Sequence, residues 1–169
     1  MVTIIRTRPG RGSRAAEVAV PRDGLLLDAL PRVDWADAYA VGDVDGLPDD
    51  PQAWADAVFR GPPTWVGALL ALREALVGVV GIERAGSHAF DTVARTETEV
   101  LLGIDQGHLD FRASVRREPD RVVVTTVVQV HNRRGRAYSS LVRRLHPTVV
   151  RTMLTRARAR LAHEARSRP

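Results

Sequence analysis

Two strand-forming runs, GHLDFRASVRRE at 107–118 and RVVVTTVVQVH at 121–131, stand almost back to back, and their alternation constrains the fold more than any other feature. Successive side chains of an extended chain point to opposite faces, so each run sorts its residues into two sets. Leu109, Phe111, Ala113 and Val115 fall with Val122, Val124, Thr126, Val128 and Val130 on an apolar face. His108, Asp110, Arg112 and Ser114 fall with Val123, Thr125, Val127, Gln129 and His131 on a more polar one, read as solvated. The sorting requires an even connecting loop, because a one-residue slip exchanges the faces. A four-residue loop, Arg117 to Asp120, sets Arg112 opposite Thr125, Asp110 opposite Val127 and His108 opposite Gln129.

Upstream, FDTVART at 90–96 and EVLLGID at 99–105 are joined to these runs by loops so short that all four strands must form an antiparallel meander. VDWADAYAVG alternates too, with Val33, Trp35 and Asp37 on one side and Ala36, Ala38 and Ala40 on the other, predicting a first strand over 35–43. GDVDGLPDDP follows. Its Asp43, Asp45 and Asp49 lack the glycine placement and closing glutamate of a calcium loop and read as a turn. Asp50 before Pro51 is an N-cap and first-turn proline for a short helix reaching Gly61. Beyond Gly61-Pro62-Pro63, the apolar residues from Val66 to Val80 recur at helical spacing and Gly81 ends a second helix.

The last element spans about 136–165, where Tyr138, Leu141, Val142, Leu145, Val149, Met153, Ala157 and Leu161 trace a stripe at three- and four-residue steps. Pro147 removes one backbone hydrogen bond and bends this helix without ending it, since the stripe continues in phase. An antiparallel sheet with one apolar face needs a cover, and this helix is the available one. The fold class is therefore α+β, with a curved sheet wrapped around a long C-terminal helix and a cavity expected between them. Residues 1–30, with five arginines, form a partly extended arm, and 31–166 a single domain.

Composition narrows the chemistry. With no cysteine, disulfides, thiolate metal sites and a cysteine nucleophile are excluded, and a cytoplasmic location is expected. The first twenty residues hold no apolar stretch of signal-peptide length, and the most apolar window, Trp65 to Ile82, carries Arg73 and Glu74 at its centre, so no transmembrane segment is expected. All 25 basic residues are arginine and the net charge is +5. Clustered arginines suit phosphates, but no recognition motif accompanies them, so nucleic acid is the least expected partner.

The order of strand, two helices, meander and terminal helix resembles the helix-grip fold of the START and polyketide cyclase (SRPBCC) superfamily. That resemblance implies binding of lipids, hormones or polyketide intermediates between sheet and helix. DWADAYAV, HLDFRASV and TTVVQVHNRRGRAYSSLVRRLHPTVVRTML further resemble a bacterial family of unknown function, found alone or behind a short-chain-reductase-like NAD(P)-binding domain. This second resemblance covers Val33 to Leu161 and brings no catalytic residue with it. RPGRGS lacks the third glycine of a dinucleotide fingerprint, so no cofactor is expected.

The leading functional expectation is a hydrophobic small molecule held against Leu109, Phe111, Val124, Thr126, Val128, Tyr138, Val142, His146 and Met153. The alternative is a cyclase- or dehydratase-like enzyme whose acid/base groups come from Tyr138 and His146 on the helix, or from Asp110, Arg112 and His131 on the sheet. The histidines do not share metal-ligand spacing, so no metal site is expected. The turn Asn132 to Arg136 gathers arginines and backbone N–H groups that suit an anion, and the edge at FDTVART could pair across a homodimer.

Overall fold

A computed structural model of the chain describes residues 13–60, 62–64, 66–67 and 90–167. Six antiparallel strands form one curved sheet: β1 (Ala16–Glu17), β2 (Trp35–Val41), β3 (Thr92–Arg95), β4 (Glu99–Asp105), β5 (Leu109–Glu118) and β6 (Arg121–Val130). Their order across the sheet is β1-β2-β6-β5-β4-β3, so the meander lies side by side and β2 closes onto β6. Among the described residues two α-helices pack on the sheet, α1 (Pro51–Phe59) and the 34-residue α2 (Arg133–Arg166). The sheet with its long C-terminal helix fits a helix-grip-like arrangement. The second helix expected over 66–81 falls on residues largely outside those described.

Local chemistry explains the element ends. Asp50 caps α1 by accepting from the Gln52 N–H at 2.8 Å, with Pro51 in the first turn. Asn132 caps α2 by accepting from the Gly135 N–H at 2.9 Å, so the arginine-rich turn is the first turn of the helix rather than a loop before it. Gly135 is required there because a Cβ would run into the His108 carbonyl. Pro147 lies inside the continuous helix, as the unbroken stripe required.

The hairpin register differs from the expected one by two residues. Glu118 pairs with Arg121, so the turn is Pro119-Asp120 alone, which sets Arg112 opposite Val127 and Asp110 opposite Gln129. Proline at the first turn position already supplies the required φ, and the shorter loop gains the pairs Glu118–Arg121 and Arg117–Val122. Because the shift is even, the two faces keep their residues. The first strand ends at Val41 instead of residue 43, where Asp43 takes a positive φ of 53°.

The apolar face builds the main core. Tyr39, Val41, Val100, Leu102, Val115, Val122 and Val124 pack against Trp54 and Val58 of α1 and Val150, Met153, Leu154, Ala157 and Leu161 of α2. Leu141 and Leu145, expected on the buried stripe, are 55% and 45% exposed. The buried positions in this half of the helix are instead Gly135 and Ser139, with His146 half-buried.

The opposite face is not solvated. Leu26 and Leu30 of the N-terminal segment pack on Leu101 and Val127, and Val18 and Val20 pack on Ala38, Ala40 and Val123. Glu99 is buried beneath this cover, accepting from Ser114 Oγ, from the Leu25 N–H at 3.0 Å and from Arg116 at 3.2 Å. Arg116 also donates to Asp23 Oδ1 at 2.7 Å, and burial, which depresses its pKa, is outweighed by the carboxylates of Asp23 and Glu99, which raise it. The polar residues of this face thus bind the segment that hides it.

Candidate functional site

The site grows from the first half of β2. Trp35, Asp37 and Tyr39 alternate onto the apolar face, and Asp37 lies opposite Thr126 of β6. An aspartate there is out of pattern, since a carboxylate on a buried face must be paired or it is costly. Its partner comes from α2: His146 Nδ1 lies 2.8 Å from Asp37 Oδ2, and both side chains are 16% exposed. The Tyr39 hydroxyl donates to the same oxygen at 3.4 Å. Burial above all, and then the negative charge of Asp37, raises the Tyr39 phenol well above the ordinary tyrosine range.

The helix is seated on β2 by further contacts around the pair. Trp35 Nε1 donates to Ser139 Oγ at 2.6 Å. The Trp35 ring meets His146 edge to face with centroids 5.3 Å apart, and the Arg143 guanidinium sits 5.8 Å from its centre. Ser139, His146 and Val150 are spaced by seven and four residues, so one stripe of α2 faces this strand.

One polar atom here is unsatisfied among the described residues. Asp37 Oδ1 is buried with no hydrogen-bond partner. The bond to Asp37 engages Nδ1 of His146 and leaves Nε2 as the ring's other polar atom. A carboxylate hydrogen-bonded to one imidazole nitrogen fixes the orientation of the ring and so the direction of its other nitrogen. Next to the pair, Leu109, Val128 and Val130 are buried beneath half-buried Trp35, Phe111 and Tyr138, an aromatic wall at the same end of the sheet.

The residues singled out from sequence divide between separate places. His146 enters the pair with Asp37, while Tyr138 joins the aromatic wall and packs edge to face on His108 at 5.6 Å. Leu109, Phe111 and Val128 border that wall, Thr126 lies opposite Asp37, and Val142 is half-buried on α2. Val124 and Met153 sit deeper, in the packed core with α1.

The Asp110, Arg112 and His131 set does not converge. His131 Nε2 pairs with Asp110 Oδ2 at 2.9 Å, but Arg112 turns to Asp105 at 2.6 Å. On the β4 side Arg112 lies opposite Gly103, and Asp105 two residues further along β4 is within its reach. His108, expected on the polar face, is instead buried against Tyr138 beside the first turn of α2. Asp34 near this end is held below the ordinary carboxylate range, first by the Val130 N–H at 2.6 Å and then by Arg32 at 3.0 Å.

Asp37, Tyr39, Trp35 and Ser139 were missed as site residues. The signal was present for Asp37, a lone carboxylate sharing a strand face with two aromatics. Among the described residues no helix is long and apolar enough to cross a membrane, and no group of three or more histidines and carboxylates gathers as a metal site would.

Comparison with known proteins gives one family match, to the family described as "Protein of unknown function (DUF2867)", over residues 29–153. No curated protein and no solved structure matches.

Proposed function

The chain belongs to the DUF2867 family of proteins of unknown function, and from that premise we propose that it binds a small molecule between the sheet and the first half of α2. The ligand has an apolar body, which lies along Trp35, Phe111 and Tyr138, and one proton-bearing polar group, which meets Asp37 and His146. The observation that carries this reading is the buried Asp37 Oδ1 without a partner, on the carboxylate that pairs with His146. Leaving such a group unsatisfied costs on the order of 1–3 kcal/mol, and native proteins rarely keep one without a use. The helix-grip-like arrangement supports the reading, because the superfamily it resembles binds its ligands between sheet and helix.

Native mass spectrometry of the purified chain is the test. A non-covalent small-molecule adduct, lost on denaturation and lost in Asp37→Val, is the expected result. The reading fails if the chain carries no adduct and a panel of apolar alcohols, phenols and carboxylic acids leaves the Tm unchanged, since a ligand at 100 times its Kd stabilises by about 2.7 kcal/mol.

A second reading, an acid/base enzyme of the cyclase or dehydratase type, is favoured by the orientation of the pair. Asp37 fixes the Nδ1 side of His146, so Nε2 is the atom that would take a proton from a bound substrate. His146→Gln separates the two readings: retained binding with lost turnover supports the enzyme, and turnover unaffected by the substitution excludes it.

A further inference from the structure

On the flank of α2 that faces the N-terminal segment, Thr148, Arg151, Thr152, Thr155 and Arg156 recur at three- and four-residue steps and share one stripe. Arg14 and Ala15 close the other side, and together these residues line an open groove of about 340 Å3. Its wall carries three guanidinium groups and three threonine hydroxyls, and no carboxylate lines it. Arg32, Arg95, Arg112, Arg116, Arg117 and Arg121 each meet a carboxylate, whereas among the described residues Arg14, Arg151 and Arg156 have no ion-pair partner. Arg22, Arg133, Arg136, Arg144 and Arg166 also have no carboxylate partner among the described residues, but the groove gathers three such guanidinium groups beside hydroxyls.

The groove is also held in shape. The Ala15 N–H donates to Thr155 Oγ1 at 2.9 Å, and Arg151 Nε donates to the Ala15 carbonyl at 3.2 Å. These two bonds anchor the arm to the helix while leaving the terminal nitrogens of Arg151 and the Thr155 hydroxyl proton available as donors. Like charges gathered without counter-charge repel one another, and an anion between them removes the repulsion. Guanidinium forks match the oxygens of phosphate, and hydroxyls add neutral donors.

We propose that this groove binds a phosphate group carried by a small molecule, with Arg151 and Arg156 as charge partners and Thr152 and Thr155 as hydroxyl donors. The site does not rest on the Asp37–His146 reading. It stands about five residues further along α2 from His146, roughly 7.5 Å of helical rise.

Isothermal titration of the full chain with inorganic phosphate and with pyrophosphate, at ionic strength matched with chloride, tests the site. One saturable event is expected, weakened about tenfold or more by Arg151→Gln and by Arg156→Gln, which makes no other contact to lose, and unchanged in Asp37→Val. Cosedimentation with phosphatidylcholine vesicles containing phosphatidic acid forms the second arm. Arginine-dependent pelleting assigns the phosphate to a lipid headgroup, and its absence alongside phosphate binding assigns it to a soluble ester. No saturable heat together with no pelleting, or binding that ignores both arginine substitutions, overturns the proposal.

Discussion

Removing both members of the Asp37–His146 pair, by Asp37→Val with His146→Leu, should leave the fold as stable as before or slightly more so. The magnitude follows from the bonds the pair makes. The pair contributes one hydrogen bond with a charged acceptor, at 2.8 Å and 16% exposure, worth about 1.5–3 kcal/mol. Against it stand the partnerless Asp37 Oδ1, which costs on the order of 1–3 kcal/mol, and the desolvation of the carboxylate itself. Valine suits a strand face that already holds Val41 and Val124, and leucine continues the apolar stripe of α2. Made in a Tyr39→Phe background, so that no buried phenol is left without its Asp37 acceptor, each single variant strands one partner and should lose about 1–2 kcal/mol, while the double variant should lie within about 1 kcal/mol of that background. Urea denaturation of the four proteins completes the cycle. A double variant that loses 3 kcal/mol or more (about the cost of breaking a buried ion pair) would show that the pair serves the fold, and the functional reading of the unsatisfied Asp37 Oδ1 would go with it.

Tyr39 makes the alkaline limb of stability diagnostic. Its folded pKa is raised, so its contribution is present below the unfolded value near 10 and is lost as pH rises, by about 1.4 kcal/mol per pH unit until the raised value is reached. The chain has no lysine or cysteine and two tyrosines, so Tyr39→Phe should flatten most of that slope in urea titrations above pH ~10. Gly24→Ala places a Cβ into the Arg116 guanidinium at a φ of 82°, and should release the N-terminal segment to limited proteolysis at a cost of about 2 kcal/mol. Unchanged cleavage there would mean the Glu99–Arg116 cluster does not hold the segment. Asn132→Ala removes the cap of α2 and its bond to the Gly107 carbonyl at 3.0 Å, and thermal melts should show a loss of about 1–2 kcal/mol, against about 0.5 or less if the cap were idle.

Much of the architecture was legible because it depends on periods that short windows reveal. Alternation in residues 107–131 gave the two sheet faces, and the parity of the loop protected that result even though the register itself was two residues off. Asp50-Pro51 marked the start of α1 by capping chemistry that needs only its neighbours. The stripe of α2 was less legible at its N-terminal half, where Leu141 and Leu145 looked inward by hydrophobicity and Ser139 and His146 hold the contact. Periodicity ranks residues by apolar character, and a helix seated on a polar strand face reverses that ranking.

The amino-acid order alone determined that this chain has one apolar sheet face, a helix to cover it and no thiol chemistry, because side-chain alternation and composition are local properties. Tertiary structure alone decided which polar residues meet. His146 finds Asp37 across 109 positions of chain, Arg112 abandons Asp110 for Asp105, and the N-terminal segment folds over a face that reads as open to water. Hydrogen bonds and ion pairs act over about 3 Å and are indifferent to separation along the chain. Only the packing of β2 against α2 could bring that carboxylate and that imidazole together.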